Sequence, residues 1–208
     1  MPMRLLHILL CWFCLASPAC GQNWDIKTLR TLNVERNRRL DGAFTAITNS
    51  STPVAVGGIV LLSAVGYFAD DSLTQLKALN MGASIIGAAF VTQALKYSFN
   101  RTRPFNAYPD LDKQALGGGP SFPSGHTSNA FSVATSISLS YPKWYVIAPA
   151  YLWAGSVGYS RMHLGVHYPS DVLAGAVVGA GSAYLSHKIT ERLVRHGRKR
   201  RLARPRQP

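Results

Sequence analysis

Five apolar segments, each compatible with a helix, restrict the fold of this chain more than any other feature of its sequence. The segments carry Ser, Thr and Gln, and most are shorter than the roughly 20 residues that a helix needs to cross a bilayer. Their glycines and alanines permit close helix packing in a membrane or in water. The sequence therefore predicts an all-α bundle in one domain, either with about five transmembrane helices or as a compact soluble protein. The five segments are Pro53–Ala69, Leu79–Tyr97, Asn129–Tyr141, Trp144–Tyr159 and Val172–Leu185.

Three short polar blocks flank these segments, and together they have the composition of a phosphate site. They span residues 96–104, 123–126 and 160–171, and they contribute three fixed cations, Lys96, Arg103 and Arg161. A phosphoryl group in transit spreads negative charge over its oxygens, so its catalysis depends on positioning and charge stabilisation. Arginine binds such oxyanions through two parallel hydrogen bonds. Ser124 and Gly125 follow a proline and precede an apolar run, so we expect them at a helix start, where free backbone N–H groups attract an anion.

Two histidines and one aspartate complete this set. His167 stands four residues before Asp171 with Pro169 between them, and proline is tolerated in the first turn of a helix. We therefore expect His167 just before a helix and Asp171 in its opening turn. In that arrangement the carboxylate orients the imidazole, and the free ring nitrogen attacks phosphorus. His126 is then expected to protonate the leaving alkoxide, because histidine titrates near neutral pH.

The order and spacing of the blocks resemble the signature of the type 2 phosphatidic-acid phosphatase superfamily, which reads K-x6-RP, PSGH and SR-x5-H-x3-D. Every fixed position is present, and the resemblance extends from about Leu40 to about Lys188. It implies a helical bundle of the type shared by lipid phosphatases, bacterial class A acid phosphatases and vanadium haloperoxidases. It also implies an enzyme that needs no metal or other cofactor and forms a phosphohistidine. The roles implied are phosphate binding for Lys96, Arg103, Ser124, Gly125 and Arg161, nucleophile for His167, acid for His126, and partner of the nucleophile for Asp171.

Several residues near the blocks fall outside the signature. His163 lies inside the third block, and the sequence leaves open whether it contacts substrate or is a structural residue. Arg101 is predicted to be a charge at the rim of the site, and Tyr168 to be a packing residue. The Gly-Gly-Gly-Pro run at 117–120 is predicted to be flexible, within a loop, Phe105–Phe122, that is expected to select the substrate headgroup. Three charged residues are predicted on a solvated part of that loop that covers the site: Asp110, Asp112 and Lys113.

The N-terminus, residues 1–21, resembles a secretory signal peptide, with Arg4 followed by an apolar stretch from Leu5 to Ala16. Cleavage is expected after Gly21. The alternatives are an uncleaved first helix and a lipoprotein attached through Cys20. All the cysteines lie in this region, so the mature chain is expected to have neither a disulfide framework nor a cysteine metal site. They are Cys11, Cys14 and Cys20.

Residues 24–47, after the predicted signal peptide, contain two amphipathic pieces. The second of them has helical spacing of its apolar residues, which are Leu40, Ala43, Phe44 and Ile47. These pieces are expected to pack on the domain or to lie on the membrane surface. The apolar segments that follow favour the membrane surface.

The positive charge of the chain is concentrated at its C-terminus. The formal net charge is +13, and a basic tail, residues 189–208, holds much of the excess. Five spans after an exported N-terminus place this tail in the cytoplasm, as the positive-inside rule requires, and all three polar blocks on the outer face. The sequence therefore predicts a domain over residues 22–188 in a bacterial inner membrane with its site facing the periplasm; the alternative is a soluble periplasmic protein. The tail lacks interleaved aromatics, so lipid headgroups or a purely topological role explain it better than a nucleic-acid partner.

The function predicted from these observations is hydrolysis of lipid phosphate monoesters or diphosphates by a membrane phosphatase. The expected substrates are phosphatidic acid, phosphatidylglycerol phosphate, undecaprenyl diphosphate or lipid A phosphates. The alternative is a secreted acid phosphatase that acts on small esters. Two rivals from other classes are a vanadium-dependent haloperoxidase and an inactive protein that only binds phosphorylated lipid. A general acid and an oriented nucleophile argue against the pure binder, which needs neither.

Overall fold

A computed structural model describes residues 18–203, which form a bundle of helices. Within those residues no strand is present, so the all-α prediction is confirmed. The elements are α1 (Pro18–Asn33), a 3₁₀ turn (Arg38–Leu40), α2 (Asp41–Asn49), α3 (Ser51–Phe68), α4 (Ser72–Phe99), α5 (Pro104–Ala107), α6 (Gly125–Ser140), α7 (Trp144–His163) and α8 (Pro169–Ala203).

The five predicted apolar segments correspond to the long helices α3, α4, α6, α7 and α8, and local capping sets where some of these helices end. At the start of α4, the side chain of Asp71 accepts a hydrogen bond from the N–H of Leu73 at 2.9 Å. At its end, Asn100 adopts a left-handed conformation with φ of 42°, and its N–H returns to the carbonyl of Lys96. This turn leads the chain into the non-helical residues 101–103, which enter the site.

α6 lies at the centre of the bundle, where α4, α7 and α8 pack on it. Its contact with α8 depends on glycine, because a Cβ at Gly179 would lie 2.1 Å from the carbonyl oxygen of Ser128. The contact with α4 is made by hydroxyl groups: the Oγ of Ser84 lies 2.7 Å from that of Ser136, and Thr92 donates to Ser128 at 3.0 Å. Glycine therefore brings α6 and α8 into backbone contact, and small hydroxyl side chains let α4 pack closely on α6.

The outer surface of the bundle is apolar around its middle and aromatic at both ends. Large aliphatic and aromatic side chains are exposed on four helices: Val60, Leu61, Ile86, Phe90, Leu152 and Val177. Near the end of α4 that reaches the site, Tyr97 and Phe99 are exposed. At the opposite end of the bundle the exposed aromatics are Tyr67, Phe68, Trp144 and Tyr145. An apolar band between two aromatic girdles is the surface of a protein embedded in a bilayer.

Two helical stretches in the described part of the chain are long and apolar enough to cross a membrane. They are Arg38–Phe68, with 31 residues, and Ser72–Ala107, with 36 residues. The central helix α6 has 16 residues, about 24 Å at 1.5 Å per residue, which is less than the roughly 30 Å hydrocarbon core. The predicted number of five spans stays a prediction.

α1 and α2 correspond to the two amphipathic pieces, and both pack on the domain. Ile26 and Leu29 of α1 are buried against Leu111 and Tyr168. On α2, the ring of Phe44 lies 4.4 Å from the ring of His163, measured between centroids. The structure therefore supports the packed interpretation of these helices, and Tyr168 is a packing residue as predicted.

The predicted signal peptide and the predicted basic tail lie at the two ends of the chain. Most of the predicted signal peptide, residues 1–21, lies outside the described residues, as do Cys11 and Cys14, so its cleavage stays a prediction. Cys20 lies in the first turn of α1. α8 continues without a break to Ala203. The predicted boundary between domain and basic tail, at residue 188, therefore falls inside a continuous helix.

Candidate active site

The three predicted cations converge on one pocket at the end of the bundle. Lys96 comes from the last turns of α4, Arg103 from the residue before α5, and Arg161 from the last turn of α7. His126, His167 and Gly125 line the same pocket, together with the loop residues Leu116, Gly117 and Gly118. The structure thus brings together side chains that are up to 71 residues apart in sequence.

Backbone carbonyls hold the Arg103 guanidinium in place. This side chain, 6% exposed, donates to the carbonyls of Gly118 at 2.8 Å, Gly119 at 3.0 Å and Val166 at 3.0 Å. Gly117 has no room for a side chain, because a Cβ there would lie 2.8 Å from Nη1 of Arg103. The glycine run that sequence reasoning interpreted as a flexible loop therefore supplies the acceptors that orient a phosphate-binding arginine.

Arg161 is held in the same way and keeps an unused donor. It is 2% exposed, donates through Nη1 to the hydroxyl of Thr48 at 2.8 Å, and donates through Nη2 to the carbonyl of Leu116 at 3.0 Å. Its Nε is buried without a hydrogen-bond partner among the described residues. Lys96 donates from Nζ to the carbonyl of Pro120. A buried guanidinium with an unpaired N–H is suited to an anionic oxygen.

The start of α6 has the anion-attracting geometry that the sequence predicts. Ser124 is the N-cap residue in an extended conformation, and α6 begins at Gly125. The N–H of Ser124 donates to the carbonyl of Asp171 at 3.0 Å, which fixes this turn against α8. Ser124 itself is buried and accepts a hydrogen bond from Thr127 at 2.9 Å, so its hydroxyl faces the helix. The side chain of Ser124 is absent from the pocket lining, whereas Gly125 and His126 are part of it.

His167 lies in the segment that joins α7 to α8, with its ring between a cation and a carboxylate. Nδ1 is 3.4 Å from Oδ2 of Asp171, and Nε2 is 3.3 Å from Nη1 of Arg103. A guanidinium N–H is always a donor, so Nε2 faces it with its lone pair and the proton resides on Nδ1. Burial lowers the pKa of His167 to about 3, because desolvation disfavours the charged ring and outweighs the nearby carboxylate. The ring is therefore neutral, as a nucleophile must be.

Asp171 is fully buried in the first turn of α8, where the sequence predicts it, and other groups hold it more closely than His167 does. Oδ1 accepts from Nη1 of Arg101 at 2.7 Å. Oδ2 accepts from the hydroxyl of Ser121 at 2.5 Å and from the N–H of Tyr168 at 3.0 Å. These contacts fix the position of the carboxylate behind the His167 ring.

The prediction that Arg101 is a rim charge is wrong. Its guanidinium bridges two buried carboxylates, Asp171 at 2.7 Å and Asp25 of α1 at 2.8 Å, and it lies 3.9 Å above the ring of Tyr168. Asp25 also accepts hydrogen bonds from the N–H and hydroxyl of Ser170. One feature of the sequence indicates this role. The residues before Pro104 are expected to be extended, and in an extended segment residues two positions apart, such as Arg101 and Arg103, lie on the same face.

Sequence reasoning missed Asp25 and Ser121. Asp25 reaches the site from α1, 76 residues before Arg101 in the chain, and nothing in the local sequence distinguishes it from a solvated acid on an amphipathic helix. Ser121 is 50 residues from Asp171 and lies in a loop without a regular pattern. Both act on the site through long-range contacts.

His163, which the sequence left open, is a structural residue. Its Nε2 lies 2.9 Å from Oδ1 of Asp41, and it is absent from the pocket lining. Asp41 in turn forms an ion pair with Arg36 at 2.8 Å. The side chain is buried between α2 and α7, where it joins these helices.

The loop before α6 is more firmly attached than predicted. Asp112 is partly exposed, and its Oδ2 forms an ion pair with the buried Arg36 side chain at 2.7 Å. The hydrogen bond from Arg36 lowers the pKa of this carboxyl. Asp110 pairs with Arg30 at 2.8 Å on the surface, and the ammonium of Lys113 lies 4.3 Å from the ring centroid of Phe105. This loop does cover the site, as predicted, and these contacts hold it there.

The fold and the geometry of the pocket identify the family. The model of the PAP2 superfamily matches residues 77–195, more than half of the chain. The chain belongs to the PAP2 superfamily. A lipid A 1-phosphatase of Porphyromonas gingivalis is 34% identical over 179 residues, which are 81% of this chain and 37% of that protein. The chain spans less than half the length of the lipid A phosphatases that it matches.

Two solved structures are similar to this PAP2 chain over nearly their whole length. The crystal structure of Aquifex aeolicus LpxE has a TM-score of 0.68 and 30% identity, and the match covers 79% of this chain and 95% of that one. The first transmembrane PAP2-type phosphatidylglycerolphosphate phosphatase from Bacillus subtilis has a TM-score of 0.71 and 25% identity, and the match covers 92% and 96%. The predicted family and its helical fold are confirmed. The similarity to a transmembrane PAP2 protein and the apolar outer surface support the membrane setting over the soluble alternative.

Proposed function

We propose that this PAP2 chain is a membrane phosphatase that hydrolyses phosphate monoesters or diphosphates of lipids through a phosphohistidine. The observation that carries the proposal is the His167 ring, buried and neutral, with Nε2 directed at the cationic pocket and Nδ1 backed by Asp171. A pure phosphate binder has no need of a neutral histidine oriented by a buried carboxylate.

The reaction uses the pocket residues in sequence. Lys96, Arg103 and Arg161 hold the terminal phosphate, assisted by the free N–H groups at the start of α6. Nε2 of His167 attacks phosphorus as the bond to the leaving oxygen breaks, and His126 gives its proton to that oxygen. His126 then accepts a proton from water, whose oxygen attacks the phosphohistidine, and inorganic phosphate and free His167 are regenerated. No step uses a metal, and within the described residues no cluster of three potential metal-ligating side chains occurs.

A lipid substrate is supported by the surroundings of the pocket. Exposed Tyr97 and Phe99 lie at the pocket end of α4, where aromatic side chains mark a membrane interface. The names of similar proteins include lipid A phosphatases, an undecaprenyl-diphosphatase and a phosphatidylglycerolphosphate phosphatase. Phosphatidic acid has the same terminal phosphate and belongs to the same candidate set. Each of these lipids presents a phosphate with three unesterified oxygens, which matches three converging cations.

A bacterial inner-membrane location with the pocket facing the periplasm is part of this proposal. The basic end of α8 lies at the opposite end of the helix from Asp171, and the positive-inside rule assigns such an end to the cytoplasm. A variant with the native cysteines replaced by serine and a new cysteine at Lys113, near the pocket, tests this. It should react with a membrane-impermeant maleimide in spheroplasts; reaction only after lysis would contradict the orientation.

The catalytic proposal is tested by trapping the intermediate. Membranes that contain the full chain, given a ³²P-labelled lipid phosphate and quenched with alkali, should yield a labelled protein whose label is stable in alkali and lost in acid. His167→Ala should abolish both label and turnover, while His196→Ala, an exposed histidine on α8, should change neither. Retention of more than about a tenth of the wild-type rate in His167→Ala would show that another group is the nucleophile, because loss of a nucleophile costs orders of magnitude. Activity confined to the soluble fraction and to small esters would support the secreted alternative.

A further inference from the structure

A groove lies at the end of the bundle opposite the catalytic pocket. It is formed by the first turns of α4, the last turn of α6 and the outer part of α8, and we refer to it as the distal groove. Its apolar wall consists of Leu73, Leu76, Leu139 and Val194. Two side chains at its edge carry fixed positive charge, Lys77 and Arg195. None of these residues belongs to the phosphatase signature or contacts the site.

The distal groove lies about one bilayer thickness from the catalytic pocket. Arg195 follows Asp171 by 24 residues of the same continuous helix, about 36 Å at 1.5 Å per residue, compared with a hydrocarbon core of roughly 30 Å. The exposed Trp144 and Tyr145 lie at the same end of the bundle, where α7 begins. The groove is therefore at the membrane interface opposite the one at which the catalytic pocket opens.

The charge of the distal groove is positive despite an acidic side chain in its wall. Glu191 lines the groove, but its carboxylate is 3.1 Å from Nζ of Lys188 and 3.5 Å from Nε2 of His187. Lys77 lies 4.1 Å from the centroid of the Tyr141 ring, which holds its ammonium at the groove edge. Among the described residues neither Lys77 nor Arg195 has a carboxylate within 4 Å, although Asp71 and Glu191 are close enough to interact with them electrostatically. The two cations outnumber the single carboxylate that lines the groove.

We propose that the distal groove binds one anionic phospholipid from the leaflet opposite the catalytic pocket. An acyl chain fits the apolar wall, and the phosphate of the headgroup lies between Lys77 and Arg195. The combination of an apolar wall with cations at an interface suits an amphiphile whose charged group stays at headgroup depth. The lipid is a ligand and not a substrate, because its phosphate lies about a bilayer thickness from His167. The proposal is independent of the reaction proposed above.

Direct binding of a phosphodiester lipid tests the proposal. The purified full chain in detergent is titrated with short-chain phosphatidylglycerol, which has no terminal phosphate, and bound lipid is counted by native mass spectrometry. The wild-type chain should bind phosphatidylglycerol more tightly than phosphatidylcholine of the same chain length. Lys77→Gln and Arg195→Gln should each weaken phosphatidylglycerol binding about fivefold, the contribution of one cation at a lipid surface.

Matched variants separate this effect from misfolding and from general charge. Lys143→Gln removes an exposed cation at the same end of the bundle but outside the groove, and should bind as the wild type does. Lys77→Arg keeps the charge and should keep the affinity. Equal binding by Lys77→Gln, Arg195→Gln and Lys143→Gln would overturn the proposal. Equal affinity for phosphatidylcholine and phosphatidylglycerol would also overturn it, because the groove would then hold any lipid by apolar contact.

Discussion

Replacement of Arg101 by glutamine tests whether a residue outside the family signature positions the catalytic machinery. Arg101 bridges Asp25 and Asp171, and among the ion pairs of the described residues it is the one permanently charged partner of Asp171, since the His167 ring is neutral. A hydrogen bond between charged groups contributes about 1.5–3 kcal/mol when one partner is buried. If that energy keeps Asp171 behind the His167 ring, its loss lowers kcat by about 10- to 100-fold, at 1.36 kcal/mol per tenfold.

The assay for Arg101→Gln is steady-state release of phosphate, with kcat and KM measured separately. Arg101 is absent from the pocket lining, so KM should stay within about twofold while kcat falls. The rate of phosphohistidine formation in a single turnover should fall by the same factor as kcat. Arg101→Lys keeps the charge but has no planar guanidinium to bridge two carboxylates. Its kcat should lie between those of Arg101→Gln and the wild type.

Arg30→Gln is the matched control for this experiment. It removes another ion pair between an arginine and an aspartate, which joins α1 to the loop that covers the site. That pair is exposed, and Arg30 forms no ion pair with Asp171. Exposed ion pairs contribute little, so its kcat should match the wild type. A wild-type kcat in Arg101→Gln, or a rise in KM alone, would refute the positioning role.

Three further predictions concern packing, protonation and chemistry. Gly179→Ala should lower the midpoint of thermal unfolding by the equivalent of about 1–3 kcal/mol, because the new Cβ would overlap the carbonyl of Ser128. Gly181→Ala is the control and should not destabilise the chain, because nothing lies within 4 Å of that position. Equal midpoints for the two variants would contradict the prediction. The pKa of His167 is lowered to about 3 in the folded chain, compared with about 6.5 in the unfolded chain. Between these pH values the unfolded chain binds a proton that the folded chain does not. The contribution of His167 to the free energy of unfolding is therefore complete above about pH 6.5 and is lost as the pH falls toward 3. Thermal unfolding of His167→Ala should therefore depend less on pH over that range, and parallel curves would argue against a buried neutral ring. EDTA should leave activity intact, and vanadate should inhibit competitively without halide oxidation; a large loss in EDTA would indicate a metal.

The positions of Ser124 and Asp171 were predictable because helix starts have strong local rules. Pro169 two residues before Asp171 indicates a first helical turn, and the proline before Ser124 indicates an N-cap, so both boundaries follow from short-range chemistry. The helical segments were predictable from composition, although α4 and α8 extend well beyond them. α8 extends because its C-terminal part is rich in Arg, Lys and Leu, which are good helix formers whether or not they are buried.

The groups that hold the catalytic residues in position were not predictable in the same way. Asp25 and Ser121 contact the machinery across 76 and 50 residues, and such pairings depend on how α1 and the covering loop pack. Two of the three carbonyls that orient Arg103 belong to glycines, which have no side chain to give a chemical signal. The Gly-Gly-Gly-Pro run at 117–120 acts on the site through its backbone carbonyls, and its sequence alone indicates only flexibility.

Backbone carbonyls also explain why arginine serves this site better than a second lysine. Three like charges around one pocket repel one another, so each must be held before the phosphate arrives if the site is to be preorganised. Arg161 donates to Thr48 and to the carbonyl of Leu116, and its Nε has no partner among residues 18–203. A guanidinium has five N–H donors in a fixed plane, whereas an ammonium has three that rotate. One arginine can therefore join α2 and the covering loop to α7 and bind phosphate at the same time, which links the position of the loop to the shape of the anion site.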